Sequence, residues 1–244
     1  MIHLFHNFKN IIGKICDRIK NLSGKDSKNE DPFQIQFVIY GNYNNGHDKI
    51  LQRSPWETKG YNLRQFLKTI NLEKGSEYEA IEIGLNYVNK EHERQPIKQV
   101  VLIGSAPTNT KDSVRAGRSV FGEKYWKNTQ FAQETYYEEE LHKLKSKNIP
   151  VYTFFVNQDE ENSFRQIANE TKGRCKHLDI NSPIGADTLE KKVLEIILTN
   201  KGENSNKDDN INAFRKTIFS QAGSSPVVSG ETEPNQSKDS NEES

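Results

Sequence analysis

Two short runs of β-branched and aromatic side chains, Val100-Val-Leu-Ile103 and Val151-Tyr-Thr-Phe-Phe-Val156, constrain this chain more than anything else in it. They are apolar at nearly every position instead of every second one, so both of their faces must be covered. That is the signature of strands in a parallel sheet with a helix layer on each side. Around them the apolar period lengthens to three and four. Leu63, Phe66, Leu67 and Ile70 predict a short helix, and Tyr78, Ala80, Ile81, Ile83, Leu85 and Val88 predict a second, with Gly84 allowing close packing on the sheet. Further helices are predicted over 136–147, over 162–171 with Phe164, Ile167 and Ala168 inward and Gly173 as its cap, and over 186–198. Additional strands are predicted over 33–40, 49–52 as a short edge strand, and 174–178, while 108–135 is polar and aromatic without a clean period. Strands that alternate with helices imply right-handed crossovers, so the expected fold class is α/β: an open, mostly parallel sheet flanked by helices on both faces.

The ends read differently. Residues 2–22 carry an amphipathic stripe (Leu4, Phe5, Phe8, Ile11, Ile12, Ile15, Ile19, Leu22) opposite lysine and arginine, and 23–32 is a polar linker. A domain over 1–200 is expected, followed by a polar, acidic, disordered tail over 201–244. Its last stretch, 223–244, has five carboxylates against Lys238 and no aromatic residue. Only 33% of the chain is hydrophobic, in keeping with such a tail, and 34 basic residues balance 34 acidic ones. A neutral chain has no global attraction for nucleic acid or anionic lipid. No apolar run approaches the roughly 18 residues that cross a bilayer. Cys16 and Cys175 have no metal-ligand spacing, and the start lacks a secretory pattern, so two thiols in the cytoplasm are expected.

In such a sheet, function sits in the loops beyond the carboxyl ends of the strands. Those loops hold no GxGxxG or GxxxxGK[ST] run, which argues against a phosphate cradle. Ser105 follows a strand as a hydrolase nucleophile would, yet its context, Gly-Ser-Ala-Pro, is not a nucleophile elbow. The histidines show no paired spacing, and Glu138-Glu-Glu140 reads as a solvated face near a helix start.

The succession Gln99-Val-Val-Leu-Ile-Gly-Ser-Ala-Pro107, Glu140-Leu-His-Lys-Leu-Lys-Ser-Lys-Asn-Ile-Pro-Val-Tyr-Thr-Phe-Phe-Val156 and Phe164-Arg-Gln-Ile-Ala-Asn-Glu-Thr-Lys-Gly-Arg-Cys175 resembles the second half of a von Willebrand factor A-type domain. The resemblance runs over about 2–200 and implies a Rossmann-like sheet. In that family Mg²⁺ is held by an Asp-x-Ser-x-Ser run after the first strand, by a threonine before a later helix and by an aspartate ending the fourth strand. Here Ser76 stands near the threonine position and Ser105 at the aspartate position, while the central first strand with its Asp-x-Ser-x-Ser run is missing. A hard divalent ion needs anionic oxygens that these positions do not supply. The resemblance therefore implies a degenerate adhesion site and no cofactor, with Mg²⁺ only if an upstream Asp-x-Ser-x-Ser segment exists.

The absent strand would lie between 33–40 and 99–103. Either the chain is a fragment, which we favour at this stage, or those two strands close up, or another polypeptide donates the strand. The sequence predicts a non-enzymatic protein-binding module with its metal site lost. Its partner surface is expected at Asn42, Tyr43, Asn44, Thr108, Asn109, Thr110, Tyr125 and Trp126, since exposed aromatics anchor interfaces. The rival readings are an α/β hydrolase-like or nucleotide-binding enzyme using Ser105 or Asp159, Glu160 and Glu161, and a peripheral membrane protein anchored by helix 2–22.

Overall fold

The computed structural model describes residues 9, 11–17, 34–70, 79–179 and 182–199. In chain order these form helical residues 11–17 (α1), β1 (Val38–Tyr40), β2 (Leu51–Arg53), α2 (Gly60–Thr69), α3 (Ile81–Arg94), β3 (Val100–Gly104), α4 (Lys111–Ser119), α5 (Glu123–Trp126), α6 (Tyr137–Ser146), β4 (Val151–Phe155), α7 (Glu161–Glu170), β5 (Cys175–His177) and α8 (Pro183–Thr199). The linker 23–32, the tail 201–244, Ser76 and the rest of the predicted helix 2–22 lie outside the described residues.

The two apolar runs pair as their composition demands. β4 is the middle of a three-stranded parallel sheet ordered β3-β4-β5, with Leu102 opposite Thr153 and Thr153 opposite Cys175. Alternate side chains enter two layers. Val101, Ile103, Tyr152, Phe154 and Val156 pack with Ile12 and Ile15 of α1, Leu63 and Leu67 of α2, and Leu189, Val193 and Leu194 of α8. Val100, Leu102, Val151 and Phe155 pack with Ile81 and Leu85 of α3, Leu141 and Leu144 of α6, and Phe164 and Ile167 of α7. Each such side chain, fully withdrawn from water, stabilises the fold by about 1.5–3 kcal/mol before entropy is counted. Thr153, the polar residue at the centre, is wholly buried and donates its hydroxyl to Phe164 O at 2.9 Å.

The fold is thus α/β, with a small parallel sheet between helix layers. The predicted single sheet is not what forms. β1 and β2 make a separate antiparallel pair, Val38 opposite Arg53, and among the described residues no ladder joins β1 to β3. The strands read over 33–40 and 99–103 therefore do not close up on one another. Strand 33–40 is also shorter than its apolar run: only Val38–Tyr40 is a ladder, and Ile35 makes an isolated bridge to Glu57.

Region 108–135 contains two helices that its sequence hides. The inward positions of α4 are Val114 and Arg118, so half of the buried stripe is a charged residue. Arg118 is satisfied on every side: Nε and Nη2 donate to Glu123 at 2.8 and 2.7 Å, and Nη1 donates to Phe131 O at 2.8 Å. A residue of this kind breaks an apolar periodicity while serving the core. Glu140 likewise departs from the solvated run predicted for it. It is buried and accepts from Asn89 Nδ2 at 2.9 Å and Lys143 Nζ at 2.6 Å.

Candidate functional site

The loops beyond the carboxyl ends of β1, β3 and β4 converge. Asn109 Nδ2 donates to Asn42 Oδ1 at 3.2 Å and to Glu82 Oε1 at 3.0 Å, tying the β1 loop, the β3 loop and α3 together. Thr108 bridges to Glu79, and Thr110 is the N-cap of α4, its Oγ1 accepting from Ser113 N at 3.1 Å. Ser105 is half-buried; its hydroxyl reaches Glu79 Oε1 only at 3.4 Å, and its carbonyl accepts from Asn157 Nδ2 at 2.7 Å. Glu160 is buried and accepts from the backbone of Val156 and Asn157, so it closes the β4 loop. Asp159 is exposed and Glu161 pairs with Arg165, so the three acidic neighbours face different surroundings.

Two glutamates that sequence reasoning passed over dominate the electrostatics. Burial pushes the Glu79 carboxyl up to about 7, with the Ser105 bond opposing. Burial does the same to Glu82, also up to about 7, against the bond from Asn109. Glu82 Oε2 and the buried Tyr43 hydroxyl sit close enough to perturb each other, yet neither completes a hydrogen bond of proper geometry. The available signal was phase: Glu82 lies between Ile81 and Ile83 where α3 enters the core. Among the described residues no group of three His, Cys, Asp or Glu side chains converges as a metal cage.

The aromatics of the expected partner surface divide. Tyr43 and Trp126 are fully buried, stacked edge to face at 5.6 Å, with Trp126 Nε1 donating to Arg118 O at 2.8 Å. Tyr125 is half-buried, its hydroxyl 2.6 Å from His47 Nδ1. Asn42 is half-buried, Thr108 and Asn109 are buried, and Asn44 and Thr110 are exposed. Most of these residues build the rim's frame and do not project from it.

An opening lies below the rim, between β1 and β3. A cavity of about 390 Å³ is lined along its length by Ile35 to Tyr40 on one side and Val100 to Ser105 on the other. Helices close its two faces, α1, α2 and α8 through Ile12, Ile15, Leu67, Val193 and Ile197, and α3 through Ile81, Leu85 and Val88. Val38, Ile39, Val101 and Ile103, which a covered sheet would bury, are only half-buried because they look into this space.

Backbone parity shows what the walls offer. Val100 N donates to Pro150 O and Gly104 O accepts from Val156 N, so the even-numbered peptide groups of β3 serve β4 and those of Val101 and Ile103 point into the slot. In β1, Phe37 O and Gly41 N bond toward β2, which turns the peptide groups of Val38 and Tyr40 toward the same slot. A side-chain bond crosses it: Tyr40 Oη donates to Ile103 O at 3.0 Å.

No family model matches the chain, and a comparison with curated proteins finds no match. Among the described residues no helix is long and apolar enough to cross a membrane.

Proposed function

We propose that this chain is a non-enzymatic protein-binding module of von Willebrand A type whose metal site is degenerate. The observation that carries the reading is spatial order. β2 and β1 lie on one side of the slot, β3, β4 and β5 on the other, with helices over both faces, and the slot falls where that family has its first strand. Neutral Ser105 ends β3 where the family has an aspartate. Among the described residues Ser105 meets Glu79 and Asn157, and no imidazole contacts its hydroxyl.

Calorimetric titration of the full chain with Mg²⁺ and Mn²⁺ tests the metal half; the heat should show no saturable micromolar step, and a stoichiometric one overturns it. An ester and phosphoester panel tests the non-enzymatic half. Turnover that disappears in Ser105→Ala would return the chain to the hydrolase class.

A further inference from the structure

We propose that the slot between β1 and β3 is a binding site for an extended segment of a separate polypeptide, which enters as an additional β-strand and joins the two half-sheets. Three observations converge on that ligand. The peptide groups of Val38 and Tyr40 on one wall and Val101 and Ile103 on the other face the slot at strand spacing, the Ile103 carbonyl also accepting from Tyr40 Oη, and among the described residues no strand lies between them. The lining above and below is aliphatic and aromatic, so both faces of an incoming strand meet apolar side chains. A hairpin arm or a helix does not satisfy two facing sheet edges at once, whereas one strand does.

Charge defines the ligand further. Among the described residues no lysine, arginine, aspartate or histidine lines the slot; the charged group there is Glu79, beside Ser105 at the end where β3 stops, while Gln34, Gln36 and Gln99 mark the opposite end. The complementary occupant is a run of about five uncharged, β-branched residues, matching the five of β3, with a basic side chain at the Glu79 end. Burial already disfavours the bare carboxylate of Glu79, and a cation beside it removes that penalty.

The inference rests on the binding-module reading, and the two fail differently. Stoichiometric metal or turnover sinks the former and leaves amide protection in the slot unaffected. Missing protection sinks only the slot.

The test is hydrogen exchange of the full chain with a capped synthetic peptide, Lys-Val-Ile-Val-Leu-Val-Lys, against the control Lys-Val-Lys-Val-Glu-Val-Lys. The apolar peptide should slow exchange at the amides of Val38, Tyr40, Val101 and Ile103 by about tenfold or more, and leave Leu102, already paired to β4, unchanged. The control should do neither. Ile197→Trp, which grows into the slot from α8, should abolish the protection without lowering the melting temperature. Glu79→Gln should weaken the apolar peptide by up to about fivefold and should not affect a version ending in serine. Unchanged amides with the apolar peptide, or equal protection by both peptides, overturn the proposal. So does protection without peptide: independent of dilution it means the chain fills its own slot, and rising with protein concentration it means a second copy does.

Discussion

Glu82 is the residue whose surroundings most contradict its chemistry. It is wholly buried, and it receives one hydrogen bond at Oε1, from Asn109, and none at Oε2. Its folded pKa, about 7, lies above the ordinary carboxylate value of 4.5. Between those values the folded state holds a proton that the unfolded chain has lost, so stability falls as pH rises through that window. The penalty at neutral pH is at most about 3 kcal/mol. Glu79, raised for the same reason, adds in the same direction. The full chain should therefore melt at a higher temperature at pH 5 than at pH 7.5. Glu82→Gln, which keeps the shape and the Asn109 contact, should flatten that dependence and raise the melting temperature at pH 7.5. A melting temperature that climbs between pH 5 and 7.5 contradicts the account. The sequence offers only the phase of Glu82 between Ile81 and Ile83; what makes the residue unusual is a tertiary surrounding contributed by residues 27 and 39 positions away, Asn109 and Tyr43.

At the scale of elements, β4 and α7 show how tightly the parallel layer is built. Two residues past the end of α7, Lys172 takes the left-handed region, φ 61°, and the chain then passes so close to β4 that a Cβ at Gly173 would lie 1.9 Å from Val151 O. The sequence places a glycine at this helix end, and the expected role was the left-handed cap. The structure gives that conformation to Lys172 and reserves Gly173 for the close approach. The two substitutions should therefore part company. Lys172→Gly should be neutral or stabilising by up to about 1 kcal/mol, because it relieves a left-handed non-glycine. Gly173→Ala should destabilise by several times that, on the order of 3 kcal/mol, because backbone must move. Chemical denaturation of both variants decides it, and comparable losses from the two would refute the assignment. The helices of 108–135 mark the opposite case. Their register is set by a buried arginine pair, and apolar periodicity has no means of announcing it.

For the molecule as a whole, the slot divides the sheet into two halves of unequal security. β3, β4 and β5 share backbone ladders, whereas the β1–β2 pair is held to them by side-chain packing and the Tyr40 bond to Ile103 O. Native-state hydrogen exchange should separate them: Ile39 and Gln52 should exchange through a partial opening at least about tenfold faster than Thr153 and Phe155, which await global unfolding. Coincident exchange across all four would show that the halves unfold as one. What the sequence determined by itself was local: the strands of the parallel layer, the helices outside 108–135, and that such a layer must be covered on both faces. These follow from side-chain period and β-branching, properties of neighbours along the chain. Whether 33–40 and 99–103 would meet, which peptide groups would face the opening, and that Glu79 would stand at its end were decided only by the tertiary structure. Pairing and burial are settled between segments some sixty residues apart, where no local pattern carries the information.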